Sequence, residues 1–427
     1  MDFDATVRFD HELLAVEQEH AVSCMLELVA PAAPTSTQRR PLALALVIDR
    51  SGSMSGAKLD VARRCASFLI ERLGSEDRLS IVSFDEHVTL DAPLLEVGEH
   101  RHALTSAALA IHPGGQTNLS GGWLKGVETL SQLGAGSHTR RVLLLTDGMA
   151  NAGITDDAQL AKMVRGSAGD GIGTTTIGFG DGFSEDLLGA MADAGGGGAH
   201  FAPSPDAAPA IFASEFNDLL SVVAQNVSAE IRPAWSEVEL LSILNDFPQV
   251  PVEGGVQVQL GDAYGDERRR ITFQLQVPRL PALGAAEIAR VIVRYVSVGD
   301  EQVAMHELSV PVIVNAVSAD DAASSVPDAE VTEEVTILLG ARAQDEARAL
   351  ADEGRFDEAS AKLREAAGSL RAMAPGSARS EELITEAKRL EYRGDEISDG
   401  LYDVMSRKQM TFENRLRKQR RQPPSGQ

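Results

Sequence analysis

The sequence predicts an α/β fold: a doubly wound, mostly parallel sheet inserted in an antiparallel, β-sandwich-like domain, with an α-helical domain at the carboxyl end. Three features predict it. The apolar runs Leu42–Ile48 and Val142–Leu145 read as strands buried on both faces, and helical patterns alternate with such strands. After residue 226 the chain changes to the period-two alternation of antiparallel strands, punctuated by Gly, Pro, Asp and Asn. Beyond residue 330 it reads as helix.

Taken in order, Thr6–Leu14 and Ala21–Val29 read as strands, and a Pro-rich loop, Ala30–Pro41, leads into the parallel sheet. A helix over about Gly56–Leu73 presents Leu59, Ala62, Phe68 and Leu69 as an apolar stripe. Strands follow at Arg78–Phe84 and His87–Leu90, helices near His100–Ile111 and Leu119–Leu133, then a strand at Arg141–Thr146. A helix from Asp156 to about Ser167, a strand at Ile172–Ile177, and helices near Ser184–Ala194 and Pro205–Ala224 finish the unit, with Gly195–Gly198 as a flexible turn. The period-two strands are Val227–Ile231, Val238–Ile243, Val256–Leu260, Arg268–Val277, Ala289–Val298 and Val303–Val314, enough for a small sandwich. The amino-terminal strands have no place in the parallel sheet and are expected to pair with these.

The expected divisions are 1–40 with 227–316 for the β-domain, 41–226 for the α/β domain, 317–329 for a Ser/Asp/Ala-rich linker and 330–427 for the helices and a basic tail. Val331–Asp352 and Phe356–Met373 form a hairpin turning at Gly354 that resembles a single tetratricopeptide unit; Ser380 to about Lys418 gives one long helix or two. A single copy lacks the neighbours that repeats need, so a small self-packed bundle is expected.

Length and composition narrow the class. At 427 residues the chain has room for two or three domains. No stretch of ~18 apolar residues is present, so no membrane span is expected. The start, Met-Asp-Phe-Asp-Ala-Thr, lacks a charged-then-apolar leader, which points to a cytoplasmic protein. Cys24 and Cys65 are expected as small buried hydrophobes. A net charge of -24 argues against nucleic acid as a partner. The tail reverses that sign, with Arg407, Lys408, Arg415, Arg417, Lys418, Arg420 and Arg421 against Glu413. It is expected as a solvated helix end, with docking on an acidic surface as the second reading.

The chemistry concentrates at strand ends, where open α/β sheets bind ligands. Asp49, Ser51 and Ser53 follow the first buried strand and place hard oxygen donors at alternating positions. Gly114-Gly115-Gln116-Thr117 offers another hydroxyl from a tight turn, and Asp147-Gly148 ends the second apolar run. Oxygen donors without Cys or His suit Mg²⁺, Mn²⁺ or Ca²⁺. For any one of these residues a plainer role competes: Ser53 or Ser55 as a helix cap, Asp147 as an Asx turn.

Asp-x-Ser-x-Ser, then Thr117, then Asp147, in the settings Val-Ile-Asp-Arg-Ser-Gly-Ser-Met and Leu-Leu-Thr-Asp-Gly, resembles the metal-ion-dependent adhesion site of von Willebrand factor A domains. The bacterial members and the inter-alpha-trypsin inhibitor heavy chains are the most similar in pattern, and the resemblance covers roughly residues 41–226. It implies that Ser51, Ser53 and Thr117 supply hydroxyl oxygens to the ion, with Asp49 and Asp147 coordinating it or holding its waters. One position stays open for an Asp or Glu from a partner protein. Asn118 is a candidate for supporting the ion from behind. The resemblance further implies an intracellular scaffold or assembly factor, with the helical domain as a second partner surface.

An enzyme is not expected. The stretch Gly52-Ser-Met54-Ser-Gly56 places Met where a hydrolase elbow needs Ser. Gly178-Phe-Gly180-Asp-Gly182 lacks the spacing of a dinucleotide loop. The alternative kept open is a metal-dependent hydrolase or phosphotransferase using the same site.

Overall fold

The computed structural model of the protein describes residues 3–32, 39–134, 136–180, 182–298, 304–419 and 421–422. Half of the Pro-rich loop (33–38), the start of the strand expected from Val303, and Arg420 of the basic tail lie outside these residues.

The chain opens with β1 (Asp4–Phe9), β2 (Leu13–Ala15) and β3 (His20–Val29). It continues through β4 (Leu42–Asp49), α1 (Ala57–Arg72), β5 (Arg78–Phe84), β6 (Val88–Glu96), α2 (Val97–Leu109), α3 (Leu119–Leu130) and β7 (Thr139–Thr146). The α/β unit ends with α4 (Asp157–Gly169), β8 (Ile172–Phe179), α5 (Glu185–Ala194), β9 (Gly196–Ala202) and α6 (Ala208–Leu220). Its sheet has the order β6-β5-β4-β7-β8-β9, parallel except for the edge strand β6. β4, β7 and β8 are buried at every position, which explains the apolar runs Leu42–Ile48 and Val142–Leu145, while the buried Thr174, Thr175 and Thr176 of β8 are polar. Alternate side chains feed two cores: Leu44, Leu46 and Ile48 face α1, and Ala43, Ala45 and Val47 face α3.

The glycines after α5 form β9 rather than the expected turn. Close approach is the reason: a β-carbon on Gly197 would lie 2.2 Å from the Thr174 carbonyl oxygen of β8.

β10 (Val222–Pro233), β11 (Glu239–Ile243), β12 (Gln249–Val252), β13 (Gly255–Tyr264), β14 (Arg268–Val277), β15 (Gly284–Ser297) and β16 (Met305–Val317) follow. They form two sheets, β1-β3-β14-β11 and β12-β13-β10-β15-β16-β2, which share one apolar core. β3 pairs with β14 along its full length, from Val29 opposite Arg268 to His20 opposite Val277. Thus strands on both sides of the α/β unit in sequence lie side by side. Free Cys24 and Cys65 are both buried. The stretch expected as a linker contains a short helix, α7 (Ala319–Ala323), capped by Ser318.

α8 (Ala329–Asp352) and α9 (Phe356–Met373) turn at Gly354, whose φ of +80° favours glycine. α10 (Ser380–Ser398) and α11 (Val404–Gln419) resolve the last helical stretch into two, before the short β17 (Arg421–Gln422) adds to β14.

The basic tail is not a solvated helix end. Along α11, Lys408 pairs with Glu185 of α5 at 2.7 Å, Arg407 and Arg415 meet Glu185 and Asp193, and Lys418 reaches Asp246 at 2.6 Å. Phe412 stacks on Phe201 of β9 with ring centroids 5.5 Å apart and meets Phe183 edge-on. The basic face and one aromatic ring therefore fasten the helices to the acidic α5 face of the α/β unit.

Candidate metal centre

The site assembles from three loops: the one that follows β4, the α2–α3 connection that carries Thr117, and the one that follows β7. After Asp49 the Arg50 N–H still donates to the Phe84 carbonyl of β5 at 2.8 Å, and the chain then turns through a 3-10 segment, Gly52–Met54. Two backbone hydrogen bonds join this turn to the second loop: Gly114 N–H to Arg50 O at 2.7 Å, and Gly52 N–H to Gly115 O at 2.9 Å. The third loop clamps the second, because Thr117 N–H donates to Asn151 Oδ1 at 2.8 Å while Asn151 N–H returns to Thr117 O at 3.2 Å.

Asp85 braces the second loop from below. Its carboxylate accepts from the backbone N–H groups of His87 (2.7 Å) and Gly115 (3.2 Å) and pairs with Arg50 at 3.2 Å. Burial pushes its carboxyl up, but these donors more than offset that and hold it below the ordinary value. Gly114 is required here: a β-carbon would fall 1.7 Å from Asp85 Oδ2. Sequence reasoning missed Asp85, whose role depends on a loop thirty residues away.

The five expected residues come together. Asp49 Oδ1 accepts from Ser51 N–H at 2.8 Å, and Oδ2 accepts from Thr146 Oγ1 at 2.5 Å. Ser51 and Ser53 hydroxyls are 3.1 Å apart, and Ser53 Oγ donates to Asp147 Oδ1 at 2.7 Å. Thr117 Oγ1 lies over Gly148, where a β-carbon would be 3.1 Å from that hydroxyl and 3.7 Å from Asp49 Oδ2. Asp49 and Asp147 have no exposed surface, and Ser51 and Thr117 are buried, whereas Ser53 opens to solvent.

Burial raises the Asp49 carboxyl above its ordinary value, and the nearby Asp147 charge adds to that effect, against the hydrogen bonds from Ser51 and Thr146. Two enclosed carboxylates beside three hydroxyls suit a hard cation, which would supply the missing positive charge. Among the described residues, no group of three or more His, Cys, Asp or Glu is placed to hold a metal, here or elsewhere; this centre has two carboxylates and would draw its other ligands from hydroxyls.

The competing plain roles fall elsewhere. α1 begins after Gly56 with no side-chain cap, so neither Ser53 nor Ser55 caps it. Gly148 N–H donates to Thr146 Oγ1 at 3.2 Å, which accounts for that turn without the Asp147 side chain. Asn118 is a helix cap: its Oδ1 accepts from Gly121 N–H at 3.0 Å at the start of α3, a sufficient reason for Asn at that position. Lys58, which sequence reasoning passed over, reaches Asp147 Oδ2 from α1. A lysine is not a ligand type, so nothing in the motif pointed to it.

A family model, the von Willebrand factor type A domain, matches residues 43–219. The uncharacterized protein sll0103 of Synechocystis sp. is 29% identical over 282 residues, which are 62% of this chain and 64% of that protein. Inter-alpha-trypsin inhibitor heavy chain H4 of Bos taurus is 32% identical over 173 residues, 39% of this chain and 19% of that one. The chain thus spans less than two thirds of the length of either relative. Among solved structures, a von Willebrand factor type A protein from Catenulispora acidiphila has a TM-score of 0.69 at 18% identity, covering 92% of this chain and 96% of that one. The shared fold therefore includes the β-sheets and the carboxyl-terminal helices. Residues 43–219 of this chain are a von Willebrand factor type A domain, a module whose protein interactions are commonly metal-dependent.

Proposed function

We propose that the protein is a divalent-cation-dependent protein-interaction module, working as a cytoplasmic scaffold or assembly factor. The observation that carries this reading is the meeting of Asp49, Ser51, Ser53, Thr117 and Asp147 from three loops that are hydrogen-bonded to one another. Ser51, Ser53 and Thr117 would hold Mg²⁺, or Mn²⁺ or Ca²⁺ in its place, with Asp49 and Asp147 balancing the charge. Such an ion, touched mainly by neutral oxygens, stays electrophilic and accepts a carboxylate from outside. The partner is therefore a protein that presents an Asp or Glu, and the helical domain supplies a second surface for another. No helix among the described residues is long and apolar enough to cross a membrane, which is compatible with this role.

A metal-dependent hydrolase or phosphotransferase would need a carboxylate free to act as base or nucleophile. Both are engaged, Asp49 by Ser51 and Thr146 and Asp147 by Ser53 and Lys58. Binding is favoured over turnover for that reason. The test is calorimetry with Mg²⁺ and Mn²⁺ on wild type and Asp49→Ala, followed by capture of binding proteins with and without chelator. Wild type should bind the ion and lose acidic partners on chelation. Identical responses of the two proteins would refute the reading.

A further inference from the structure

Lys58 stands in the first turn of α1, and its ammonium contacts Asp147 Oδ2 while Ser53 holds Oδ1 of the same carboxylate at 2.7 Å. Its stem passes beneath the β8–α5 connection: a β-carbon on Gly180, whose φ is +66°, would lie 3.4 Å from Lys58 Cε and 3.5 Å from Nζ. The ammonium thus lies close beside this connection as well as against the carboxylate. The two partners differ in freedom, because the Lys58 side chain is 29% exposed and that of Asp147 is 0% exposed. A base on a flexible four-carbon stem can swing to water, whereas the enclosed acid must find its compensation where it stands.

We propose that Lys58 is a tethered counter-ion of the cation centre, neutralising Asp147 when no divalent ion is present and weakening the binding of that ion by competing for the same carboxylate. The inference rests on the reading of the five residues as a cation centre. An ammonium is a compact point charge with three donors, the chemical type that best mimics a hard cation at a carboxylate oxygen. A divalent ion arriving at Asp147 either displaces the ammonium into solvent or sits beside it in repulsion. In both cases the affinity falls below what the oxygen donors alone would give. Lys58 also keeps the buried acids from destabilising the cation-free domain, so the site can empty without unfolding. Partner binding would then follow cation concentration reversibly.

The test uses the full chain, with Mn²⁺ titrated at fixed pH by calorimetry and melting followed in chelator and in excess Mn²⁺. Lys58→Met keeps the stem and removes the charge; it should bind Mn²⁺ at least about tenfold more tightly, about 1.4 kcal/mol. Its melting temperature should also rise more on adding Mn²⁺ than that of wild type. Lys58→Arg keeps the charge and should stay within about threefold of wild type, since charge dominates the competition. Unchanged or weaker Mn²⁺ binding by Lys58→Met, with wild type binding normally, overturns the counter-ion role and leaves the cation centre standing. Binding by Lys58→Met alone supports the role in its strongest form, and binding by neither protein overturns both readings. If Lys58→Met does not fold without metal, Lys58→Gln, neutral and able to donate to Asp147, carries the same expectations.

Discussion

Toward the amino end of β7, Arg141 is fully enclosed and meets Asp262 of β13, and nearby Glu215 of α6 accepts hydrogen bonds from Thr175 of β8 (2.6 Å) and His200 of β9 (2.8 Å). At the carboxyl ends of the parallel strands, Asp49 is held by two neutral donors, and Asp147 has the ammonium of a partly exposed lysine. Burial alone would push Glu215 up, yet His200, Arg141 and Thr175 together hold it below its ordinary value, whereas Asp49 stays above its own. A carboxylate taken out of water must be compensated. One end of the sheet meets that need with residues of the fold, though burial still holds Asp262 above its ordinary value beside Arg141, and so fixes the α/β unit on the β-sheets. The other end leaves part of it to be supplied from outside, which is how a binding site differs from a structural junction.

Breaking the junction should have the largest effect. Arg141→Met leaves Asp262 and Glu215 enclosed without their guanidinium and should destabilise the protein by about 3–5 kcal/mol in urea unfolding. Its melting temperature should still rise on adding Mn²⁺, because the other end is untouched. Breaking the site should cost less and only when the ion is present. Wild type at a hundredfold excess of Mn²⁺ over Kd should gain about 2.7 kcal/mol, and Asp147→Ala should lose that gain.

Acid should sharpen the contrast through the junction. Glu215 and Asp77 both lie below their ordinary values; Asp77 is held there, against its burial, by Arg39 and by the N–H groups of Leu42 and Gly74. Their stabilisation is present above the unfolded carboxyl values, roughly pH 4, and is lost as pH falls through the lower folded values. Urea midpoints should therefore drop below about pH 4, and less steeply in Arg141→Met. The smallest effect is expected from Asp49→Asn in chelator. It removes a buried charge yet keeps an acceptor for Ser51 N–H, so stability should change by no more than about 1 kcal/mol. A loss as large as that of Arg141→Met would show that Asp49 belongs to the framework.

The parallel sheet was legible in the sequence because its central strands are buried on both faces, and burial writes itself as unbroken runs such as Leu42–Ile48. The candidate site residues were legible because Asp49 and Asp147 end buried strands and the hydroxyls of Ser51, Ser53 and Thr117 sit in the glycine-containing loops beside them. What escaped depends on distant partners. β9 is glycine-rich because Gly197 lies against Thr174 and Arg141, a requirement invisible in a local window. The tail looked solvated because Glu185 and Asp193, which receive Arg407, Lys408 and Arg415, lie more than two hundred residues earlier. Asn118, a candidate for support of the ion, caps α3, a role that rests on the N–H of Gly121 three residues on.

The most direct test is anomalous diffraction from crystals grown with saturating Mn²⁺. A single strong peak is expected among Ser51 Oγ, Ser53 Oγ, Thr117 Oγ1 and the carboxylates of Asp49 and Asp147, absent in Asp147→Ala. A peak elsewhere on the chain, or none at this place at saturation, would contradict the assignment of these five side chains to a cation.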